Sequence, residues 1–393
     1  MRVALLEVVA MQGGHEIEFD RLIVQSLREN HHTPVFLVPE NSSFKINYGT
    51  EVFFLKGGSV IAHSGTSPIK RIVLSVLRAV RRILWFSDAV RVIKKTQCDA
   101  VIIPSATPRF IQSILHSQLK FSPVPVHVLV HGLDPKDVRQ LVHLAKECLP
   151  FPNILISLLT LSPLEDLKPL KNIQQIPPQT FTPTQPKDSF ALEKHSPCLR
   201  FGFFGWYRTE KKLDVLLDAF CKAHFSRNVK FVVQAIAQGK TDNTALQRLI
   251  KQYESNPAVE FLQKQLISEE WEKALAGVDV VVLPYAAKWH RYKWSAMLFN
   301  ALGFHKPVLL SEDINPELLR RYRFGETVSL NNPSLLCKEL ETFVDQFAEK
   351  ASLYEQALIE LNKDFSPKRF IQRVLETPPL PRSGLLPFRK DSF

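Results

Sequence analysis

The sequence predicts an α/β protein made of two doubly wound parallel domains, and three observations carry that prediction. Short apolar runs of strand length alternate with amphipathic helical stretches, the pattern of a parallel sheet covered on both faces. The alternation stops once, at a stretch rich in Pro, Gln and Thr (residues 173–197), and then restarts. The 393 residues exceed one ordinary core, while 45% hydrophobic and 23% charged residues place the chain among globular proteins.

The opening residues, MRVALLEVVAMQGG, have a short alternating apolar run broken by Glu7, with no small-residue cleavage site after it. They read as a first buried strand rather than a secretion leader. Further strands are expected at 34–38, 100–104 and 124–130, with helices at 16–29, 69–95 and 135–148 between them. After the proline-rich stretch, strands are expected at 199–204, 229–235, 259–262, 278–284 and 307–311. Helices are expected at 213–223, 244–253, 268–276 and 296–304, and the tail 334–376 is helical and charged. The expected division is 1–172, a linker at 173–197, 198–350, and terminal helices with a tail at 351–393 that return toward the first domain. Ligands of such sheets sit beyond the carboxyl ends of the strands, so two facing sheets would share one deep cleft.

Five scattered cysteines without a CxxC pair argue for a reducing, cytoplasmic setting and against a disulfide framework or a zinc site. No stretch reaches the ~20 apolar residues of a membrane span. The formal charge of +11 favours anionic partners: a nucleoside diphosphate, an acidic membrane surface or nucleic acid. Nucleic acid is not expected, because cations and aromatics interleave only around His290–Trp294, within one loop. The helix at 69–95 places Arg71, Ser75, Arg78 and Arg82 on one face and Val73, Val76, Leu77, Val80 and Leu84 opposite. That face suits an anionic bilayer surface; packing against the sheet, with the arginines solvated, is the alternative.

Two segments can carry chemistry. In FGFFGWYRTEKKLDVLLDAF (201–220) a buried strand ends at Gly205 and a helix begins near Leu213. The turn between them carries Arg208, Lys211 and Lys212, and a cationic strand-to-helix turn suits a diphosphate, a solvated basic turn being the alternative. In VDVVVLPYAAKWHRYKWSAMLFNALGFHKPVLLSE (278–312) a strand ends at Pro284, a basic aromatic loop follows, and Ser295 is placed to cap a helix. No Asp-x-Asp metal motif, Walker loop or GxGxxG occurs at a strand end.

Together these segments resemble glycosyltransferase family 4, of the GT-B fold: two doubly wound Rossmann-like domains facing each other across a cleft. The resemblance rests on Gly205, Arg208, Lys211 and the following Leu213-Asp214, and on His305-Lys306-Pro307-Val308, which stands where the family has Gly-x-Pro-Val. It covers about residues 199–330 well. The family's two glutamates fall here on Tyr292 and Asn300, so both carboxylates are replaced.

The resemblance implies transfer of a sugar from a nucleotide-sugar donor to a glycan or glycolipid acceptor. Retention of configuration and a place in polysaccharide or cell-envelope glycan synthesis come with it. Arg208 and Lys211 would meet the leaving diphosphate, and Ser295, Ala296 and Met297 would offer it backbone amides. Asn300 would hold the ribose and Tyr292 would lie near the donor sugar. Gly13 and Gly14 would form a glycine turn beside the donor, and His131 would face the transferred sugar. No metal and no cofactor are expected. A non-catalytic GT-B protein, acting as a partner subunit or binding module, is the second reading, motivated by the missing carboxylates.

Overall fold

The computed structural model describes residues 1–8, 15–40, 48–61, 68–134, 137–161, 170–184, 192, 196–237, 239–286, 290 and 293–376. The chain forms two compact units: Met1–Pro178 together with the segment from Pro367, and Gln179–Ser366.

The first unit contains β1 (Arg2–Leu6), α1 (His15–Glu29), β2 (Thr33–Pro39), β3 (Glu51–Leu55), α2 (Pro68–Thr96) and β4 (Ala100–Ala106). It continues with α3 (Pro108–Leu115), β5 (Val126–Val130), α4 (Val138–Glu147), β6 (Ile154–Leu159) and β7 (Ile173–Ile176). Its seven parallel strands run β3-β2-β1-β4-β5-β6-β7. The central strands read as near-continuous apolar runs because both of their faces are covered, and Val3–Leu6 and Val126–Val130 are buried throughout.

The second unit contains β8 (Cys198–Trp206), α5 (Leu213–Lys222), β9 (Asn228–Ile236), α6 (Lys240–Tyr253), β10 (Val259–Leu262) and α7 (Ser268–Ala276). It continues with β11 (Val280–Leu283), α8 (Ala296–Gly303), β12 (Val308–Ser311), α9 (Pro316–Tyr322), β13 (Gly325–Val328) and α10 (Pro333–Asp364). Its six parallel strands run β10-β9-β8-β11-β12-β13.

Three expectations need correction. The supposed linker opens with a strand: Ile173–Ile176 is β7, with Ile173 and Ile176 buried and Gln174 bonding the Ser157 hydroxyl at 3.0 Å. Beyond Pro178, the residues Gln179, Thr180 and Phe181 are core, not surface loop. Their backbone donors are used, Thr180 N to Phe365 O at 2.9 Å and Phe181 N to Phe299 O at 3.0 Å. The boundary at 350 falls inside α10, which stays in the second unit. Only α11 (Pro367–Leu375) joins the first, where Phe370 meets Phe19 edge-on at 5.8 Å. Between the two readings of α2 left open by the sequence, packing of the apolar face on the sheet does not hold near the helix start: Val73, Val76, Leu77, Val80 and Leu84 are exposed.

Asp20, on α1, is buried, and its Oδ1 has no hydrogen-bond partner. Burial first, then Glu7 and Glu16, hold its carboxyl well above the usual carboxylate range. A raised acid binds its proton more tightly folded than unfolded. Stability from this group is therefore present below the unfolded pKa of about 3.9 and is lost as pH rises through the folded value. Asp20→Asn should raise the urea midpoint at pH 7 and leave it nearly unchanged at pH 3.5. A midpoint lowered at pH 7 would contradict this account.

Candidate functional site

In the second unit the winding reverses between β8 and β11, the switch point where an open parallel sheet presents its ligand. The turns that follow these two strands form the candidate site. β8 reaches Gly205 with φ of 113°, a conformation that resists any side chain, and Gly205 N donates to Gln234 Oε1 at 3.0 Å. Tyr207 N then donates to Ile236 O at 2.8 Å. A 3-10 turn over Thr209–Lys211 follows, and Lys212, left-handed at φ 50°, starts α5. Ala286 N, beyond β11, donates to Glu210 O at 2.9 Å and ties the two turns together.

Among the described residues the site pairs two cations, Arg208 and Lys211, with Glu210 beside them. Arg208 is half exposed, and Glu210 stands 3.8 Å from its guanidinium. Lys211 lies with Nζ 4.7 Å from the centre of the Tyr285 ring and 5.8 Å from that of Phe203. Burial, and next the charge of Arg208, push the Lys211 ammonium down to about 8, against the smaller upward pull of Glu210. His290 packs on Tyr285 with ring centres 4.9 Å apart. Burial, then Lys211, Arg208 and Lys293, push His290 down to about 4, so it is neutral at physiological pH. Burial raises the Tyr285 phenol above its ordinary value, while a hydrogen bond with Ser295 and the charge of Arg208 oppose this. The Ser311 hydroxyl donates to Tyr285 O.

Ser295 caps α8 as the sequence indicated, its Oγ accepting from Leu298 N at 3.3 Å. Ala296 and Met297 form the first turn of that helix. The structure therefore gathers Arg208, Lys211, Ser295, Ala296 and Met297 on elements flanking one switch point. Tyr285 and His290 were not singled out from sequence. A tyrosine directly after a buried strand, followed by a basic loop, was the available signal.

Asn300 is placed otherwise. It is buried on α8, where its Oδ1 accepts from Trp271 Nε1 at 3.1 Å and its Nδ2 donates to Ala296 O at 2.8 Å. Trp271 in turn meets Phe204 edge-on at 5.7 Å. The Asn300 carbonyl thus ties α7 to α8, and its amide nitrogen is used within α8. Asn300→Ala would strand the indole N–H and should cost about 1–3 kcal/mol of folding stability. Urea denaturation and a nucleotide titration separate the roles: an unchanged midpoint with weakened nucleotide affinity would assign Asn300 to the ribose instead.

His131 belongs to the first unit, at the end of β5. Its Nε2 lies 2.6 Å from Pro104 O, so Nε2 carries the proton, and its ring meets Phe19 edge-on at 4.6 Å. Gly132 follows at φ 70° and turns the chain away. Gly13, Gly14 and Tyr292 lie outside the described residues. Among the described residues, no group of His, Cys, Asp or Glu is arranged to hold a metal ion.

No protein-family model and no curated protein matches the chain. Solved structures do. HepE of Anabaena in complex with UDP is 15% identical, covering 95% of this chain and 99% of its own, with a TM-score of 0.64. A glycosyltransferase from Rickettsia africae is 14% identical over 95% of this chain and 98% of its own, with a TM-score of 0.65. The lipopolysaccharide outer core galactosyltransferase WaaB, in its apo form, is 13% identical over 95% and 99%, with a TM-score of 0.60. The fold is that of the GT-B glycosyltransferases, and at this level of identity the likeness is one of fold.

Proposed function

We propose that the chain is a glycosyltransferase that moves a sugar from a nucleoside diphosphate sugar to a glycan or glycolipid acceptor. One observation carries the reading. Two cations, Arg208 and Lys211, stand together at the switch point of the second unit, and burial and the neighbouring positive charge depress Lys211 and His290 there. Such a pair is completed by an anion, and the α8 amino terminus adds the partial positive charge of its amides. HepE has been solved with UDP and with UDP-glucose, so a uridine diphosphate sugar is the first donor to test. Retention, and a role in polysaccharide or cell-envelope glycan synthesis, extend the reading from the family-4 resemblance of Gly205, Arg208 and Lys211.

In this reading the leaving diphosphate gains negative charge as the glycosidic bond breaks. Arg208 donates to two of its oxygens and Lys211 acts as a point charge. These cations take the part a divalent ion would play, so binding and transfer persist in EDTA. A bound diphosphate raises the Lys211 pKa above its present value of about 8. The Lys211 contribution to affinity is then complete below pH 8 and is lost as pH rises through the higher pKa of the complex.

UDP should therefore raise the melting temperature with EDTA present. Calorimetry at pH 8.5 in buffers of different ionisation enthalpy should show proton uptake on binding. No stabilisation by UDP, GDP, ADP or their sugars would remove the nucleotide-sugar reading. Stabilisation that requires Mg²⁺ would remove only the claim that cationic side chains suffice.

A further inference from the structure

We propose that the first four turns of α2 are a lipid-docking element that seats the first unit on an anionic bilayer surface. Residues 69–84 contain no buried side chain, and Trp85 is the first residue of α2 to enter the core. Along them Ile69, Ile72, Val73, Val76, Val80 and Leu84 are each between 47% and 75% exposed. At about 100° per residue these six occupy an arc of roughly 120°, a continuous apolar stripe about 24 Å long. Scattered surface leucines and valines are ordinary; a contiguous stripe of this length marks an interaction surface.

The stripe is held outward. The indole of Trp85 donates to Gly58 O at 2.9 Å. Arg81, beside the stripe, donates to Gly57 O at 2.8 Å. Arg82, on the far side of the helix, donates to Ser113 Oγ at 3.2 Å and lies 5.2 Å from the centre of the Phe110 ring. These contacts fix the rotation of the helix, so the apolar arc cannot turn inward without breaking them.

Charge selects the occupant. From Pro68 to Ser87 there are five cations, Lys70, Arg71, Arg78, Arg81 and Arg82, and no acid. Among the described residues none of the five makes an ion pair with a carboxylate. A second copy of the helix laid on the stripe would bring two such sets together, and the repulsion would oppose the apolar gain. An anionic bilayer accepts the stripe among its acyl chains and the cations among its headgroups. The helix is about 10 Å across with its side chains, so even cations on its far side lie within roughly one Debye length of the headgroups at 0.1 M salt.

The test is sedimentation of the purified full chain with vesicles. With phosphatidylglycerol in the mixture, the protein should pellet at least tenfold more strongly than with phosphatidylcholine alone, and 1 M salt should release it. Val76→Asp with Val80→Asp should abolish pelleting at an unchanged melting temperature. Arg71→Glu with Arg78→Glu should remove the preference for anionic vesicles. The control Ile359→Asp, on the exposed surface of α10, should bind as the unsubstituted protein does. The proposal is overturned if the protein stays in solution with anionic vesicles at low salt, or if the Val76 and Val80 variant still pellets. It is equally overturned if that variant converts a lipid-free dimer to a monomer in sedimentation velocity, since a second copy would then cover the stripe.

Discussion

Arg208→Ala is expected to slow sugar transfer about a hundredfold, the scale seen when one preorganised donor to a developing anion is removed. Its melting temperature should barely move. The Arg208 side chain is half exposed, and its only ion pair among the described residues is a loose one with Glu210. Lys211 requires a different substitution. It lies against Phe203 and Tyr285, so alanine would open a gap beneath two aromatic rings and mix a packing loss with the loss of charge. Lys211→Met keeps the length and the apolar stem while deleting the ammonium. Burial has already depressed the Lys211 pKa, so an uncharged side chain at this position relieves a desolvation cost in the free protein. Lys211→Met should therefore be at least as stable as the unsubstituted chain and still lose most of its turnover. Charge on the diphosphate grows toward the transition state, so kcat should fall further than KM rises in both variants. Steady-state kinetics with the identified donor supply the numbers, and urea denaturation confirms folding. Turnover within a factor of three in both variants would take the phosphate clamp away from this turn.

The turn after β8 was legible because its signals are local. A buried run ends in glycine, cations follow within six residues, and a helix begins; sequence spacing alone fixes that order. The same holds for Ser295, whose capping role needs only its own helix. What could not be read is non-local. Spacing placed Asn300 one turn along α8, but it could not show Trp271 of α7 taking its carbonyl. The amphipathic pattern of α2 defined two faces and said nothing of which would be covered. There the apolar arc is the exposed one, while Arg82 is tied down against Phe110 and Ser113. Residues 173–181 misled for a compositional reason. Pro177 and Pro178 and the glutamines resemble a solvated loop. An edge strand of four residues, however, needs only its two isoleucines inside, and Gln179 to Phe181 are buried by α8 and by the end of α10, far away in sequence. The fold class survived these errors because it depends on the alternation of elements, which single misreadings leave intact.

Gly303→Ala, at the end of α8, should destabilise the second unit by about 1–2 kcal/mol, against the usual sign for this exchange. In an open helix alanine is favoured over glycine by about 1 kcal/mol. Here a Cβ at 303 would fall 2.1 Å from the Phe181 carbonyl oxygen and 2.4 Å from its carbon. Backbone cannot swing aside as a side-chain tip can, and this stretch is fastened on each side. Phe181 N bonds Phe299 O, Thr180 N bonds Phe365 O, and the Phe181 ring stacks on Trp294 at 5.7 Å. Relief of the overlap must come from moving α8 or the 179–181 segment by about an ångström, and overpacking of that kind costs roughly 1–3 kcal/mol. Trp294 immediately precedes the Ser295 cap, so the movement reaches the end of α8 that flanks the cation pair, and UDP affinity should weaken together with stability. Gly239→Ala is the control: Gly239 caps the start of α6, and a Cβ there meets nothing within 4 Å, so its cost should stay within about 1 kcal/mol. Urea midpoints for the two variants decide the matter. A Gly303→Ala protein as stable as the unsubstituted chain would mean that α8 and the 179–181 segment do not approach each other as closely as these contacts require.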